Sequence, residues 1–226
     1  MTLEEETQLL ARCAQIGVSA WSDAMDELGI RGVTQGIVQR AGTGRIAGFA
    51  VTARHAHGEY GDFDRTEFAV GRLVEATGPG KVLMIDVDGA PISTFGGNAS
   101  MAAARRGATA VVIDGACRDV DEIREAGLWM ASRWVAPTTG KTRLSLRSMG
   151  EPVTIGGIRV EQGDLVVGDD TGLAVIPRSQ LADLLARAEA ILKVDDQVAQ
   201  GIRDGLTFAQ AAASAGYIPD RPGAAG

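Results

Sequence analysis

A strand–loop–helix–strand order in the middle of the chain constrains the fold more than any other feature. Two apolar runs, 82–86 and 110–113, have the length and composition of buried strands. Between them a glycine-bearing loop, 93–98, opens an alanine-rich helical segment, 99–106. Strands joined by such a crossover pair in parallel, which is the arrangement of layered α/β domains. We therefore expect an α/β domain with a parallel sheet at its centre.

The flanking segments have helical and strand patterns of their own. The apolar spacing of residues 3–14 predicts an amphipathic helix. A second helix is expected over 21–28, capped by Ser19 or Ser22 and ended by Gly29. The other predicted elements are a strand at 45–53, helices at 65–76, 120–126 and 178–202, a β-hairpin at 152–160, strands at 165–168 and 172–176, and a last helical turn at 207–214.

The composition is that of one ordered domain. The chain has 226 residues, of which 45% are hydrophobic, and its 30 glycines accompany only 4% aromatics. Abundant glycine with few aromatics suits an α/β protein with tight loops. We expect a single domain over 1–226, with its core at about 17–205 and a frayed tail at 216–226.

Charge and hydropathy argue against two classes of partner. The net charge is −7, and the longest basic run is Arg105-Arg106, so we expect no nucleic-acid surface. No stretch approaches the roughly eighteen consecutive apolar residues of a membrane span. The acidic start does not resemble a signal peptide, and Cys13 and Cys117 cannot form a disulfide framework. A cytoplasmic protein is the resulting expectation.

The loop Gly96-Gly97-Asn98-Ala99 is the first candidate for chemistry. Glycines let a ligand approach the backbone, and the helix that follows presents unpaired N–H groups. Such a loop can hold a carboxylate or a phosphate. A tight turn whose glycines serve packing alone is the alternative.

Arg118 and Asp119 follow the second buried strand, at the end where α/β sheets bind ligands. The arginine offers a planar fork for a carboxylate, and the aspartate is a hard oxygen ligand for a cation such as Mg²⁺. A surface ion pair at a helix start is the competing interpretation. If the two strands are parallel neighbours, both loops lie side by side.

The sequence does not offer the residues that other catalytic mechanisms require. His55 and His57 have no third ligand to complete a zinc site, and a solvated strand end is the simpler interpretation. Cys117 has no histidine to activate it by sequence, which indicates a packing role. A Schiff-base aldolase needs a lysine in an apolar pocket, whereas the lysines here lie beside turns or on a polar helix face; they are Lys81, Lys141 and Lys193.

The run from Gly96 through Gly107 to Arg118-Asp119 resembles a known family. It is similar to the 4-hydroxy-4-methyl-2-oxoglutarate aldolases and to the regulator of ribonuclease activity A. Stretches at 18–32, 48–52 and 163–177 extend the likeness, which covers about 17–205. The resemblance implies a layered β/β/α swivelling-type fold with N- and C-terminal helices, assembled as a homotrimer or a hexamer with sites between subunits.

The resemblance also implies roles for individual residues. Asp119 would hold Mg²⁺ or Mn²⁺, largely through waters, and Arg118 would bind the pyruvyl part of a 2-oxo acid. The substrate carboxylate would lie on the amides of the loop; these residues are Gly96, Gly97, Asn98 and Ala99. Asp62 would line the pocket, and Asp195 or Asp196 would take the place of a glutamate that the C-terminal helix of a neighbouring subunit contributes in the family.

The implied activity is a metal-dependent lyase. Retro-aldol cleavage of a 4-hydroxy-4-methyl-2-oxoglutarate-like acid, and decarboxylation of oxaloacetate, both pass through a pyruvate enolate that a cation and Arg118 can stabilise. The chain departs from the aldolases at Gly97, where they carry Asp or Glu. The alternative function is a non-catalytic regulator that binds a ribonuclease or another protein.

Overall fold

The computed structural model describes residues 2–217, and the predicted fraying of 218–226 lies outside that range. The helices are α1 (Leu3–Gln15), α2 (Val18–Leu28), α3 (Val70–Glu75), α4 (Gly97–Arg105), α5 (Val120–Glu125), α6 (Leu181–Arg203) and α7 (Phe208–Ala215), with 3-10 turns at Arg65–Phe68 and Arg178–Gln180. The strands are β1 (Val38–Ala41), β2 (Ile46–His57), β3 (Lys81–Asp86), β4 (Ser93–Phe95), β5 (Ala110–Cys117), β6 (Met130–Val135), β7 (Leu144–Met149), β8 (Val153–Ile155), β9 (Ile158–Val160), β10 (Leu165–Asp169) and β11 (Gly172–Ile176).

Nine strands form one mixed sheet. Its order is β1-β6-β5-β3-β2-β10-β11, with β4 paired to β5 and β7 paired to β2. The predicted parallel pairing of β3 with β5 is present, in the register Val82 opposite Ala110 to Asp86 opposite Asp114. β4 also runs parallel to β5, so two loops emerge from the same edge of the sheet.

Alternate side chains of the central strands bury two different faces. On β5, Val111 and Ile113 pack with helices α3, α4 and α5, whereas Ala110 and Val112 pack with the β8-β9 hairpin. This period of two is what a strand covered on both faces requires. The expected layered β/β/α arrangement is therefore confirmed.

A separate apolar cluster joins the terminal helices to the sheet. Trp21 and Met25 of α2 and Leu184 of α6 pack against β2 and β10, where Phe49 and Leu165 are buried. No helix within residues 2–217 combines the length and the apolar character needed to cross a membrane.

The second helix begins earlier than its sequence predicts. It starts at Val18 rather than at Trp21, and its N-cap is Gly17, not Ser19 or Ser22. The carboxylate of Asp169 accepts the N–H of Val18 over 2.9 Å. Because this cap lies 151 positions along the chain, no local pattern could place it.

Other boundaries also shift. The predicted helix at 65–76 is interrupted at Ala69, where φ is 47°. The helix predicted at 99–106 starts at 97, and the one predicted at 178–202 starts at 181. Residues 93–95 of the predicted loop form β4, and the strand predicted at 110–113 continues to Cys117.

Three strands have no counterpart among the predicted elements: β1, β6 and β7. Polar residues interrupt the apolar pattern of β6, where Ser132 is buried and Arg133 pairs with Asp114. Partners elsewhere in the chain satisfy these groups, so the strand forms despite a pattern that does not indicate one.

Candidate functional site

A cavity of about 270 Å³ lies where β4 and β5 end. The first turn of α4 and the start of α5 form one wall. Residues after Pro137 and the segment around Phe68 form the other. The lining side chains with polar or charged groups are Ser93, Thr94, Asn98, Arg118, Asp119, Glu122, Thr139 and Lys141.

The predicted glycine loop and the Arg-Asp pair meet in this cavity. The N–H of Gly97 donates to Oδ2 of Asp119 over 3.2 Å. Nε of Arg118 lies 3.5 Å from the same oxygen, and both side chains remain partly exposed. Asn98 and Ala99 also line the cavity. A cationic fork, a carboxylate and the start of a nine-residue helix therefore face one space.

The backbone holds Arg118 and Asp119 in place. The N–H of Arg118 donates to the carbonyl of Phe95 over 3.0 Å, which ties the pair to β4. Asp119 has φ 55° and ψ 47°, the left-handed conformation that Asn and Asp tolerate best among residues with a side chain. This turn directs the carboxylate back toward the helix start instead of along β5.

Gly96 is required by space, not by conformation. Its φ is −135°, which any residue adopts. A Cβ at this position would overlap Oδ2 of Asp119 and lie 3.1 Å from Nε of Arg118. The glycine that suggested a ligand cradle thus lets the Arg-Asp pair approach the loop.

Residues 138–141 supply a lysine that sequence reasoning set aside. The N–H of Ser93 donates to the carbonyl of Thr138, and the N–H of Gly140 donates to the carbonyl of Ser93. This pairing brings Thr139 and Lys141 to the cavity. A lysine after a turn gives no sequence signal for such a position, because the pairing to β4 is non-local.

Thr94 carries an unpaired hydroxyl at the cavity. The residue is 2% exposed, and Oγ1 has no hydrogen-bond partner among residues 2–217. A buried hydroxyl without a partner costs free energy, so such groups call for an explanation. A ligand in the cavity that Thr94 lines would provide the partner.

Glu122 is a second carboxylate that sequence reasoning missed. It stands three residues after Asp119, on the same side of α5, and it lines the cavity. The spacing of three was the available signal, since residues three apart share a helix face.

Two predicted residues lie outside this cavity. Asp62 accepts the N–H of Glu59 within an exposed turn. Asp195 belongs to α6 and lines a different cavity together with Asp23. Burial and the nearby charges of Asp23 and Asp196 raise the pKa of Asp195.

The two histidines differ from each other. His57 is exposed, as a strand end predicts, but His55 is 2% exposed, so the solvated interpretation is wrong for it. A register irregularity beside Arg54 breaks the simple alternation. Burial lowers the pKa of His55 to about 4, and its Nε2 lies 3.3 Å from the carbonyl of Phe68. Cys117 is fully buried, and burial raises its pKa, in agreement with a packing role.

A larger cavity, of about 840 Å³, lies near β1 and Trp129. Its side chains include Arg40, Arg124 and Asp170. Arg40 donates to the carbonyls of Ser132 and Arg133, so this arginine is engaged by the fold. Volume alone does not make this the functional site, because the convergent polar groups lie elsewhere.

The structure is thus a layered β/β/α domain with an Arg-Asp pair against a helix start. The family model "RraA-like: Aldolase/RraA" matches residues 18–175, and the chain belongs to this family.

Relatives and solved structures agree with this assignment. The 4-hydroxy-4-methyl-2-oxoglutarate aldolase of Thermus thermophilus is 31% identical over 112 residues, which are 48% of this chain and 66% of that protein. The crystal structure of an uncharacterized protein from Pseudomonas syringae has a TM-score of 0.80 at 27% identity, covering 91% of this chain and 96% of that one. RraAS2 of Streptomyces coelicolor, an unusual member of the RNase ES inhibitor RraA family, has a TM-score of 0.75 at 24% identity, covering 84% and 95%.

Proposed function

We propose that this protein is a divalent-metal-dependent lyase acting on small 2-oxo acids. The reactions are retro-aldol cleavage of acids like 4-hydroxy-4-methyl-2-oxoglutarate to pyruvate, and decarboxylation of oxaloacetate. The observation that carries the proposal is the convergence of Arg118 and the N–H of Gly97 on Oδ2 of Asp119, at a cavity that all three residues line. The aldolase name of the Thermus thermophilus relative supports the same reaction class.

The substrate would lie with its carboxylate at the start of α4. The amides of the first turn and the Arg118 guanidinium are donors there, and Lys141, which lines the same cavity, adds a cation. Thr94 would supply a further hydroxyl. These groups would stabilise the negative charge that develops on the 2-oxo oxygen when the C3–C4 bond breaks.

The donor set suits a hard cation that keeps most of its waters. Within the described range 2–217, no three His, Cys, Asp or Glu side chains are grouped to hold a metal ion. Mg²⁺ commonly binds through one or two carboxylates and retains its waters, and Asp119 is such a carboxylate. Held by Asp119, Mg²⁺ or Mn²⁺ would supply Lewis-acid stabilisation of the enolate.

We further propose that the site is completed between subunits of a homotrimer or hexamer. Asp195 lines a cavity other than that of Arg118, which supports a role for it at the site of another copy. Trp134 and Val135 on β6 are about half exposed, at 48% and 52%, which supports a contact between copies. Light scattering after size exclusion would measure the assembly, and a monomer at micromolar concentration would contradict it.

A panel of 2-oxo acids tests the function. The purified chain should release pyruvate from a 4-hydroxy-2-oxo acid or from oxaloacetate with Mg²⁺, and EDTA should stop the release. Arg118→Ala and Asp119→Ala should each lose activity by at least about 10²-fold. Absence of pyruvate from every acid, together with capture of a ribonuclease, would favour the regulator instead.

A further inference from the structure

His55 is a buried histidine whose ring makes a hydrogen bond to the backbone. The residue is 2% exposed, and its Nε2 lies 3.3 Å from the carbonyl oxygen of Phe68. Burial lowers its pKa to about 4, so the ring is neutral at pH 7 and carries one N–H. A carbonyl oxygen only accepts, so that N–H is on Nε2 and donates to Phe68. Nδ1 has no partner among residues 2–217, which leaves Phe68 as the group that the ring holds.

The accepting carbonyl belongs to a strained junction of the backbone. Its peptide unit joins Phe68 to Ala69, which has φ 47° and ψ 31°. This left-handed conformation is costly for a residue with a Cβ, and it persists where the surrounding structure fixes it. Ala69 separates the 3-10 turn from α3. The hydrogen bond from His55 therefore fixes the orientation of the peptide at the point where the chain turns.

The residues on either side of this junction face the candidate site. Phe68 and Val70 line the cavity of Arg118 and Asp119, whereas His55 is not among the lining residues. The two side chains give an apolar surface to the wall formed by the segment around Phe68. His55 thus contacts the wall from behind and can act on a ligand only through it.

The ring of Phe68 is held from two sides. The ring centroids of Phe68 and His55 are 6.2 Å apart, with an angle of 50° between the planes. A Cβ at Gly140 would lie 2.6 Å from Cε2 of Phe68, so the ring packs against that glycine. A ring packed in this way cannot retreat unless its backbone moves, and His55 holds that backbone.

We propose that His55 is a positioning residue which holds Phe68 and Val70 as the apolar wall that selects the group on C4 of the substrate, an inference that rests on the proposed function. An acid bound by its carboxylate at the start of α4 extends across the cavity toward this wall. A methyl group on C4 gains contact with Phe68 and Val70, whereas a hydrogen atom leaves that space unfilled. His55 touches no reacting atom, so its loss changes selection and not the bond-breaking step.

Two acids that differ by one methyl group measure this selection. 4-Hydroxy-2-oxopentanoate carries a methyl group on C4, and 4-hydroxy-2-oxobutanoate carries none. The wild type should favour the methylated acid in kcat/KM by about 10-fold or more, the usual value of one carbon in an apolar pocket. His55→Leu keeps a buried apolar side chain but has no N–H to donate. It should raise KM for the methylated acid by about 3- to 10-fold, the value of one hydrogen bond, while kcat and the KM for the other acid stay level.

Conservative and control variants separate positioning from a general structural role. His55→Gln offers an amide N–H to the Phe68 carbonyl and should restore most of the selection. His57→Leu, two residues along β2 and exposed, is the matched control and should leave both KM values unchanged. Should His55→Leu not fold, His55→Asn, whose amide is too short to reach Phe68, should show the same loss of selection. NMR of the ring nitrogens in the wild type should show the proton on Nε2.

Three results would each overturn the role of His55. They are equal preference for the two acids in the wild type, a KM in His55→Leu that is unchanged or raised equally for both acids, and a ring proton on Nδ1. A wild type that decarboxylates oxaloacetate but cleaves neither 4-hydroxy acid would also overturn it, while the proposed lyase function would stand. A wild type inactive on every 2-oxo acid, with or without Mg²⁺, would instead refute the proposed function itself.

Discussion

The backbone of Gly96 passes so close to the carboxylate of Asp119 that no methyl group fits between them. The close approach lets Asp119 accept the N–H of the next residue while facing the cavity. The loop and the carboxylate therefore form one unit, and a change in either should move the other.

Gly96→Ala should displace Asp119 without preventing folding. We expect kcat for pyruvate release to fall by about 10²-fold, because misplacing a reacting group by about 1 Å has that order of effect. Gly71→Ala is the matched control, since nothing lies within 4 Å of a Cβ there, and it should keep full activity. Steady-state kinetics measure both, and equal activity in the two variants would contradict the expectation.

Asp119→Asn should remove the negative charge at this position and keep the backbone conformation. Asparagine tolerates the left-handed backbone at this position and can accept the N–H of Gly97, so the melting temperature should change by no more than a few degrees. Activity should fall sharply because a neutral amide binds a divalent cation weakly. Asp119→Ala should in addition lose about 1 kcal/mol of stability. Thermal melts beside a Mg²⁺ titration of activity test this, and full activity in Asp119→Asn would contradict it.

Thr94→Val should weaken substrate binding without weakening the fold. The valine removes a hydroxyl that has no partner in the described part of the chain, so stability should stay level or rise. KM for the 2-oxo acid should rise by about 3- to 10-fold, the value of one hydrogen bond.

Thr77→Val provides the comparison, because Thr77 is equally buried but its Oγ1 donates to the carbonyl of Val74. We expect Thr77→Val to lose about 1 kcal/mol of stability with KM unchanged. Urea denaturation measures the stability of both variants, and steady-state kinetics measure their KM. An unchanged KM in Thr94→Val would remove Thr94 from the binding site.

His55 should make the fold sensitive to acid. Burial lowers its folded pKa to about 4, below the ordinary 6.5, so the folded state favours the neutral ring. The stability that the neutral ring of His55 contributes is therefore fully present above pH 6.5 and is lost as the pH falls toward 4. The difference of about 2.5 units between the ordinary and the folded pKa corresponds to about 3 kcal/mol of folding stability.

His55→Gln, which cannot titrate, should remove that part of the stability loss between pH 6.5 and 4. His57→Gln should behave as the wild type, since His57 is exposed. Denaturation curves at several pH values give the comparison. A loss of stability in His55→Gln as steep as in the wild type would show that other groups cause it.

The sequence predicts what depends on local pattern and on strand adjacency. The parallel pair β3 and β5 follows from two apolar runs and a crossover, and that pair puts the loop at Gly96 beside Arg118. The start of α2 depends on the distant residue Asp169, and strands β1, β6 and β7 also depend on distant parts of the chain. A local sequence pattern therefore does not predict them. Lys141 reaches the cavity through pairing with Ser93, which is likewise non-local.

At position 97 this chain departs from the family pattern, and the structure explains the departure. In the sequence, Gly97 is only a missing acid. In the structure, the carboxylate of Glu122 occupies the space beside it. The side chain in that space comes from a residue 25 positions along the chain, so a comparison restricted to position 97 cannot detect it.

One uninterrupted stretch, 93–122, provides the amides, the guanidinium and both carboxylates of the cavity, whereas Phe68 and 139–141 close it from outside. Under the proposed function, the reacting groups and the wall that faces the rest of the ligand therefore belong to separate segments of the chain. Replacing residues 138–140 with those of another family member, while Lys141 is kept, would test whether this wall selects the tail of the acid. On that proposal, a change of substrate would require a change in this wall and none in 93–122.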